Sequence, residues 1–192
     1  MSIMKTNNVR KYSIITAVVL CAITITLAII LSAVGNPTTN NNGNIEQPVD
    51  TKPIVFINPL GVMEVLKGYS ATELQYSATL KQWQVHKALD LAATEGTDVL
   101  AVYDGVVESI KTNYMMGTTI TIKHNDKLKT VYSSLNEEVN VAVGDSIKKG
   151  KIIGKVANTA QSEAADGAHL HFEVWADGNL VDPQNYVMLE NK

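Results

Sequence analysis

Residues 169–175 read His169-Leu170-His171-Phe172-Glu173-Val174-Trp175, and the fold turns on this stretch. Successive side chains on a strand point to opposite faces. Both imidazoles therefore point one way, and Leu170, Phe172 and Val174 point the other. The alternation predicts a half-buried β-strand with chemistry on its polar face.

The same period of two recurs upstream. Thr97–Ile110 (TDVLAVYDGVVESI) reads as two strands around Asp104-Gly105, a good turn pair. Thr118–His124 alternates threonine with isoleucine, and Lys129–Leu135 follows the polar turn Asn125-Asp126-Lys127. Ser146–Val156 carries its turn at Lys149-Gly150, and the 169–175 strand ends at Asp177-Gly178. Ala71–Lys81 has two readings. Leu74, Ala78 and Lys81 suit a helix face, whereas Tyr76, Thr79 and Trp83 suit a strand. No long stretch after residue 54 keeps a 3.6-residue period. The expected fold is all-β, mostly antiparallel, over residues 54–188.

The chain has 192 residues, 45% apolar and 18% charged, enough for one ordinary domain plus an appendage. All 19 acids lie beyond residue 45, while three of the 16 basic residues, Lys5, Arg10 and Lys11, crowd the first eleven positions. The body is thus net acidic, which argues against nucleic-acid binding, since that relies on Lys and Arg neutralising phosphate. Cys21 is the only cysteine, so an internal disulfide and a cysteine-built zinc site are both excluded.

From Tyr12 to Val34 no residue is charged. As a helix this run spans about 35 Å, against a hydrocarbon core of roughly 30 Å. It exceeds the roughly 7–15-residue apolar core of a cleaved signal, so we read it as a retained transmembrane helix. Residues 1–11 form its basic tail. The positive-inside rule puts that tail in the cytoplasm and everything after Val34 outside. Residues 35–53, rich in Asn, Thr, Gly and Pro, read as a flexible tether.

Two of the histidine clusters have ligand spacing. His86 and Asp90 are four apart and share a face in either a strand or a helix; His169 and His171 are an i, i+2 pair. Zinc takes nitrogen and carboxylate oxygen ligands in a tetrahedron, and catalytic sites supply three and leave a position for water. Two short clusters on neighbouring strands can build such a site. Either pair can also be a simple surface or packing feature, and a domain without metal is the bland alternative. His124, followed by a polar turn, reads as a solvated strand-end residue.

The order His-x-x-x-Asp, the VLAVYDGVVESI strands, IKH, TVYSSL, VGDSIKKGKIIGKV, HLHFEVW and Asp182-Pro183 resembles the lysostaphin/LytM-type zinc endopeptidases, over about residues 83–187. These enzymes cut peptide cross-links in peptidoglycan. The resemblance implies that His86, Asp90 and His171 hold Zn²⁺ and that His169 lies beside the metal and assists the water. The chain departs from the family twice. Ala88 stands where a glycine is usual, and a methyl group is tolerated wherever φ is negative. More seriously, Val131-Tyr132-Ser133-Ser134-Leu135 puts Ser134 where the family has its second catalytic histidine. Serine is no base near neutral pH, and losing a positioned acid/base group costs about 10²–10⁴-fold.

A narrower resemblance is to the clostridial-type, membrane-anchored sporulation members of that family. It rests on the single anchor, the Asn/Thr-rich tether, VYSSL and the segment Val65–Leu91. It implies a forespore membrane protein whose outer domain docks a stage III sporulation protein AH-like mother-cell membrane protein, with roles in engulfment and in the channel between the two cells. An exposed edge strand can accept a second chain, and repetition of that pairing can close a ring. Two functions of different class follow. One is a zinc-binding adhesion and channel component with weak or no peptidase activity; the other is a competent peptidoglycan endopeptidase.

Overall fold

The computed structural model describes residues 54–187. The basic tail, the expected transmembrane helix, the tether and residue 188 lie outside the described residues. Among those described, no helix is long and apolar enough to cross a membrane.

Twelve strands follow in chain order: β1 (Val65–Lys67), β2 (Ser70–Ser77), β3 (Gln82–His86), β4 (Leu89–Ala92), β5 (Asp98–Leu100), β6 (Gly105–Asn113), β7 (Gly117–Lys123), β8 (Leu128–Leu135), β9 (Ser146–Ile147), β10 (Ile152–Lys155), β11 (His169–Ala176) and β12 (Asn179–Val181). Short 3-10 turns at Gln161–Asp166 and Pro183–Asn185 are the helical elements among the described residues. The main antiparallel sheet runs β1-β4-β11-β8-β7-β6-β9, with β12 added to β11. Two two-stranded sheets, β5-β10 and β2-β3, complete the described fold.

The alternation along β11 sorts its faces as expected. Leu170, Phe172 and Val174 are fully buried in the hydrophobic core. They meet Leu89 and Leu91 of β4, Tyr132 of β8, and Ile120 and Ile122 of β7 in the same cluster. Phe172 and Tyr132 pack as a tilted pair with ring centroids 5.2 Å apart. Burial of this face fixes the register, because a slip of one residue would turn His171 into the core.

Several local expectations need correction. The strands on either side of Asp104-Gly105 exist, but they do not form a hairpin. β5 pairs with β10, and β6 pairs with β7 and β9. Likewise β9 and β10 flank Lys149-Gly150 but join different sheets. The turn signals were sound, whereas partner choice is a long-range matter of packing. A Cβ on Gly105 would come within 2.6 Å of the Lys123 carbonyl oxygen, so close strand approach as well as turning calls for glycine there. For residues 71–81 the strand reading prevails, since β2 and β3 form a hairpin with Tyr76 opposite Trp83. His124 is not solvated: Nδ1 meets the Asp104 carbonyl at 2.8 Å and Nε2 the Thr130 hydroxyl at 2.8 Å.

Phe172 is the centre of the face that β11 buries. Replacing it with alanine should destabilise the fold by about 3–5 kcal/mol, read as a lower midpoint in urea with an unchanged slope. A midpoint within experimental error of wild type would show that β11 does not anchor the core.

Candidate metal centre

The site is assembled across four neighbouring strands. Antiparallel pairing of β4 with β11 sets His171 opposite Asp90, and pairing of β11 with β8 sets Ser133 opposite His171. On the far side of β4, Lys67 of β1 stands opposite Asp90. Directly opposed residues share a face, so this row lies on the side of the sheet away from Leu89, Leu91 and Phe172. His86 arrives from the end of β3. His86 and Asp90 therefore share neither a strand nor a helix face: they belong to strands of different sheets, and a two-residue connection brings them together.

The predicted ligands converge. His86 Nε2 is 3.1 Å from Asp90 Oδ2, and His171 Nδ1 is 2.9 Å from Asp90 Oδ1. Glu163, from the 161–166 turn, joins them. Ligand atoms of His86, Asp90, Glu163 and His171 all lie within 4.8 Å of one another. His86 Nε2 and Asp90 Oδ2 are close but not aligned for a hydrogen bond, and both are buried without a hydrogen-bond partner. Two such atoms facing one focus fit a cation better than they fit each other.

The outer ring nitrogens are engaged by acceptors. His86 Nδ1–H donates to the Gly68 carbonyl at 3.0 Å, leaving Nε2 inward. His171 Nε2 is 3.4 Å from a Glu173 carboxylate oxygen, and its Nδ1 faces inward, 2.9 Å from Asp90 Oδ1. Glu173 also accepts a 2.7 Å hydrogen bond from the Trp175 indole. Carboxylate or carbonyl acceptors behind ligating imidazoles are the usual support of a metal site. His169 lies beside the cluster. Its Nδ1–H donates to the Gly167 carbonyl at 2.8 Å, and its Nε2 is 3.3 Å from Glu163 Oε2. Zinc, with its preference for nitrogen and oxygen donors, suits this set.

Ser134 is placed differently. It sits on β8 with φ of +64° and is fully buried, and its hydroxyl donates to the Ala157 carbonyl at 2.8 Å. Glu163, Glu173 and Lys67 were missed from the sequence. Glu173 follows His171 by two, so strand periodicity could have revealed it; Glu163 lies in an irregular stretch and carries no such signal.

Burial works against charge throughout the cluster, and the mutual hydrogen bonds oppose it. For His86, burial lowers the pKa, but the adjacent carboxylates of Asp90 and Glu163 raise it to about 9. For His171 burial is likewise outweighed by Asp90 and Glu163, and the ring is held well above its ordinary range. For Glu163 burial raises the carboxyl, yet the facing imidazoles of His169, His171 and His86 hold it well below the usual carboxylate range. Asp90 is lowered in the same way, against burial, by His171 and His86.

Comparisons with known proteins bear on the family and the fold. The sequence profile of Peptidase family M23 matches residues 84–183, a span that includes all four clustered residues. Stage II sporulation protein Q of Bacillus subtilis is 32% identical over 141 residues, covering 70% of this chain and 49% of that protein. The chain thus spans about half the length of that curated relative. Among solved structures, the SpoIIQ–SpoIIIAH pore-forming complex contains a similar chain, with a TM-score of 0.59 and 29% identity, covering 69% of this chain and 90% of that one. The catalytic domain of lysostaphin from Staphylococcus simulans gives a TM-score of 0.53 at 28% identity, covering 65% and 91%. The all-β lysostaphin-type fold read from the sequence is borne out.

The charge balance makes a pH prediction for the metal-free protein. His86 is raised from 6.5 to about 9, so its stabilisation is complete below pH 6.5 and is lost as pH rises through about 9. Asp90 and Glu163 are lowered, so theirs is lost only in acid. With chelator present, Tm of the full chain in micelles should fall between pH 6.5 and 9. With zinc the trend should reverse, because metal displaces those protons and binds more tightly as pH rises. A flat chelated profile across that window would contradict the protonated cluster.

Proposed function

The chain belongs to peptidase family M23, and we propose that it is a membrane-anchored, metal-holding member that acts in sporulation by docking a partner rather than by hydrolysis. One observation carries this reading, an asymmetry within the centre. His86, Asp90 and His171 converge on one focus, while Ser134, at the position of the family's second histidine, gives its hydroxyl to the Ala157 carbonyl.

In this reading zinc is held by His86, Asp90 and His171 and supplies Lewis-acid polarisation of a carbonyl. Of the two family histidines, His169 alone remains to move a proton, through the Nε2 that faces the cluster. The missing second group costs about 10²–10⁴-fold in rate. The metal keeps a use without catalysis, because binding to the native state alone adds to folding stability.

The sporulation role is supported by the identity to Stage II sporulation protein Q and the likeness to the SpoIIQ–SpoIIIAH complex. The rest follows by analogy. The partner is a stage III sporulation protein AH-like protein of the mother-cell membrane. The chain spans the forespore membrane once with its N-terminus in the cytoplasm. Its outer domain serves engulfment and the channel between the two cells, and copies can assemble as a ring. His169 beside the cluster favours a second reading, a competent zinc endopeptidase acting on peptidoglycan cross-links.

Two measurements on the full chain in micelles separate these readings. The partner's outer domain should bind with micromolar or tighter affinity, and His86→Ala should weaken that binding or lower Tm. Peptidoglycan incubated with the zinc-loaded chain should release no more free amine than a zinc-free control. Sustained release that His169→Ala abolishes would instead establish the endopeptidase.

A further inference from the structure

Glu163 faces the same focus as the expected ligands His86, Asp90 and His171. Catalytic zinc sites draw three ligands from the protein and leave the fourth position open, whereas structural sites close all four. Nitrogen and oxygen ligands at about 2.0–2.1 Å from a tetrahedral zinc lie about 3.4 Å from one another. Here Asp90 oxygens lie 3.1 Å from His86 Nε2 and 2.9 Å from His171 Nδ1. Glu163 oxygens lie 3.6 Å and 3.2 Å from the same two nitrogens. Glu163 therefore relates to the two imidazoles much as Asp90, an expected ligand, does.

We propose that Glu163 is a fourth protein ligand that closes the metal centre and makes it a structural rather than a hydrolytic site. This rests on the reading that His86, Asp90 and His171 hold a metal, and it adds what occupies the remaining position.

Three further observations support it. The first is charge. A divalent cation with Asp90 alone leaves a buried net positive charge, whereas Asp90 and Glu163 with two neutral imidazoles balance it, and buried charge is costly unless paired. The second is anchorage. The turn that carries Glu163 is fastened on three sides. The Ser162 amide and hydroxyl donate to the Met115 carbonyl at 3.0 and 2.7 Å. The Ala165 amide donates to the Thr79 hydroxyl at 2.9 Å, and Lys67 Nζ pairs with Asp166 at 2.6 Å. Within the turn Glu163 leaves helical geometry, at φ −131° and ψ 23°. The third is enclosure. His86, Asp90, Glu163, His169 and His171 are 6%, 0%, 8%, 1% and 7% exposed, so little of the donor set meets solvent.

Cobalt(II) loaded into the full chain in micelles reports coordination through its visible absorption, and azide probes for an exchangeable position. The wild-type spectrum should be that of a four-coordinate site and should not shift with azide. Glu163→Gln and Glu163→Ala should still take up cobalt, lose roughly 10–100-fold or more in affinity by chelator competition, and acquire an azide-dependent spectrum. A wild-type spectrum that shifts with azide, together with unchanged affinity in Glu163→Gln, overturns the fourth ligand while leaving the three-ligand reading intact. A wild-type chain that takes up no metal, or one whose affinity survives His86→Ala, sinks the metal reading and this proposal with it. Should the variants fail to fold, the wild-type azide titration alone decides.

Discussion

The antiparallel pairing of β4 with β11 is the constraint on which the centre depends. It sets Asp90 opposite His171 and, on the other face, puts Leu89, Leu91, Leu170, Phe172 and Val174 into the core. Because strand side chains alternate, the two results are inseparable. A register that buried the apolar face differently would also part the carboxylate from the imidazole. Core packing thereby holds Asp90 and His171, two of the proposed metal ligands, in register, and only His86 and Glu163 must be delivered from outside this pair.

Those two deliveries use different means. His86 ends β3 and is held by its Nδ1–H bond to the Gly68 carbonyl. Since Gly68 lies between β1 and β2, the β2–β3 hairpin and the edge of the main sheet are tied at the same point. Glu163 comes from a short turn that no sheet holds, and hydrogen bonds and one ion pair to three separate segments take the sheet's place. Lys67 takes part on both sides: it pairs with Asp166 of the turn and stands 3.7 Å from Asp90. Its cation balances carboxylates that would otherwise repel one another where the turn meets the sheet.

What was legible in the sequence was local and periodic. β7, β8 and β11 emerge from alternation alone, and His169 and His171 were assigned to one face by the same rule. The pairing of strands was not legible, since β5 and β6 read as a hairpin and instead join different sheets. Nothing local distinguishes a strand that turns back on itself from one that crosses to a distant partner. The three expected ligands were nameable because two short motifs carry them. Glu163 was not, because an acid in an irregular segment acquires meaning only through the tertiary contacts that aim it.

Ser134 and Glu163 together bear on what such a centre is for. Serine at 134 accepts a left-handed backbone, at φ +64°, and is knitted into its surroundings: its hydroxyl and carbonyl both bond Ala157, and its amide bonds the Met116 carbonyl. The position thus has a structural role of its own, in which no acid or base is called for. Glu163, from the 161–166 turn, brings a carboxylate to within hydrogen-bonding reach of both His169 and His171. A hydrolytic site needs an open position and a mobile proton. In the proposed centre Glu163 fills that position, and His169 Nε2 lies 3.3 Å from the same carboxylate. On that proposal both features favour a held cation over turnover. Retention of His86, Asp90 and His171 then needs no catalysis to explain it, because a metal that joins the edge of the main sheet, the β2–β3 hairpin and the 161–166 turn would stabilise the face they form together.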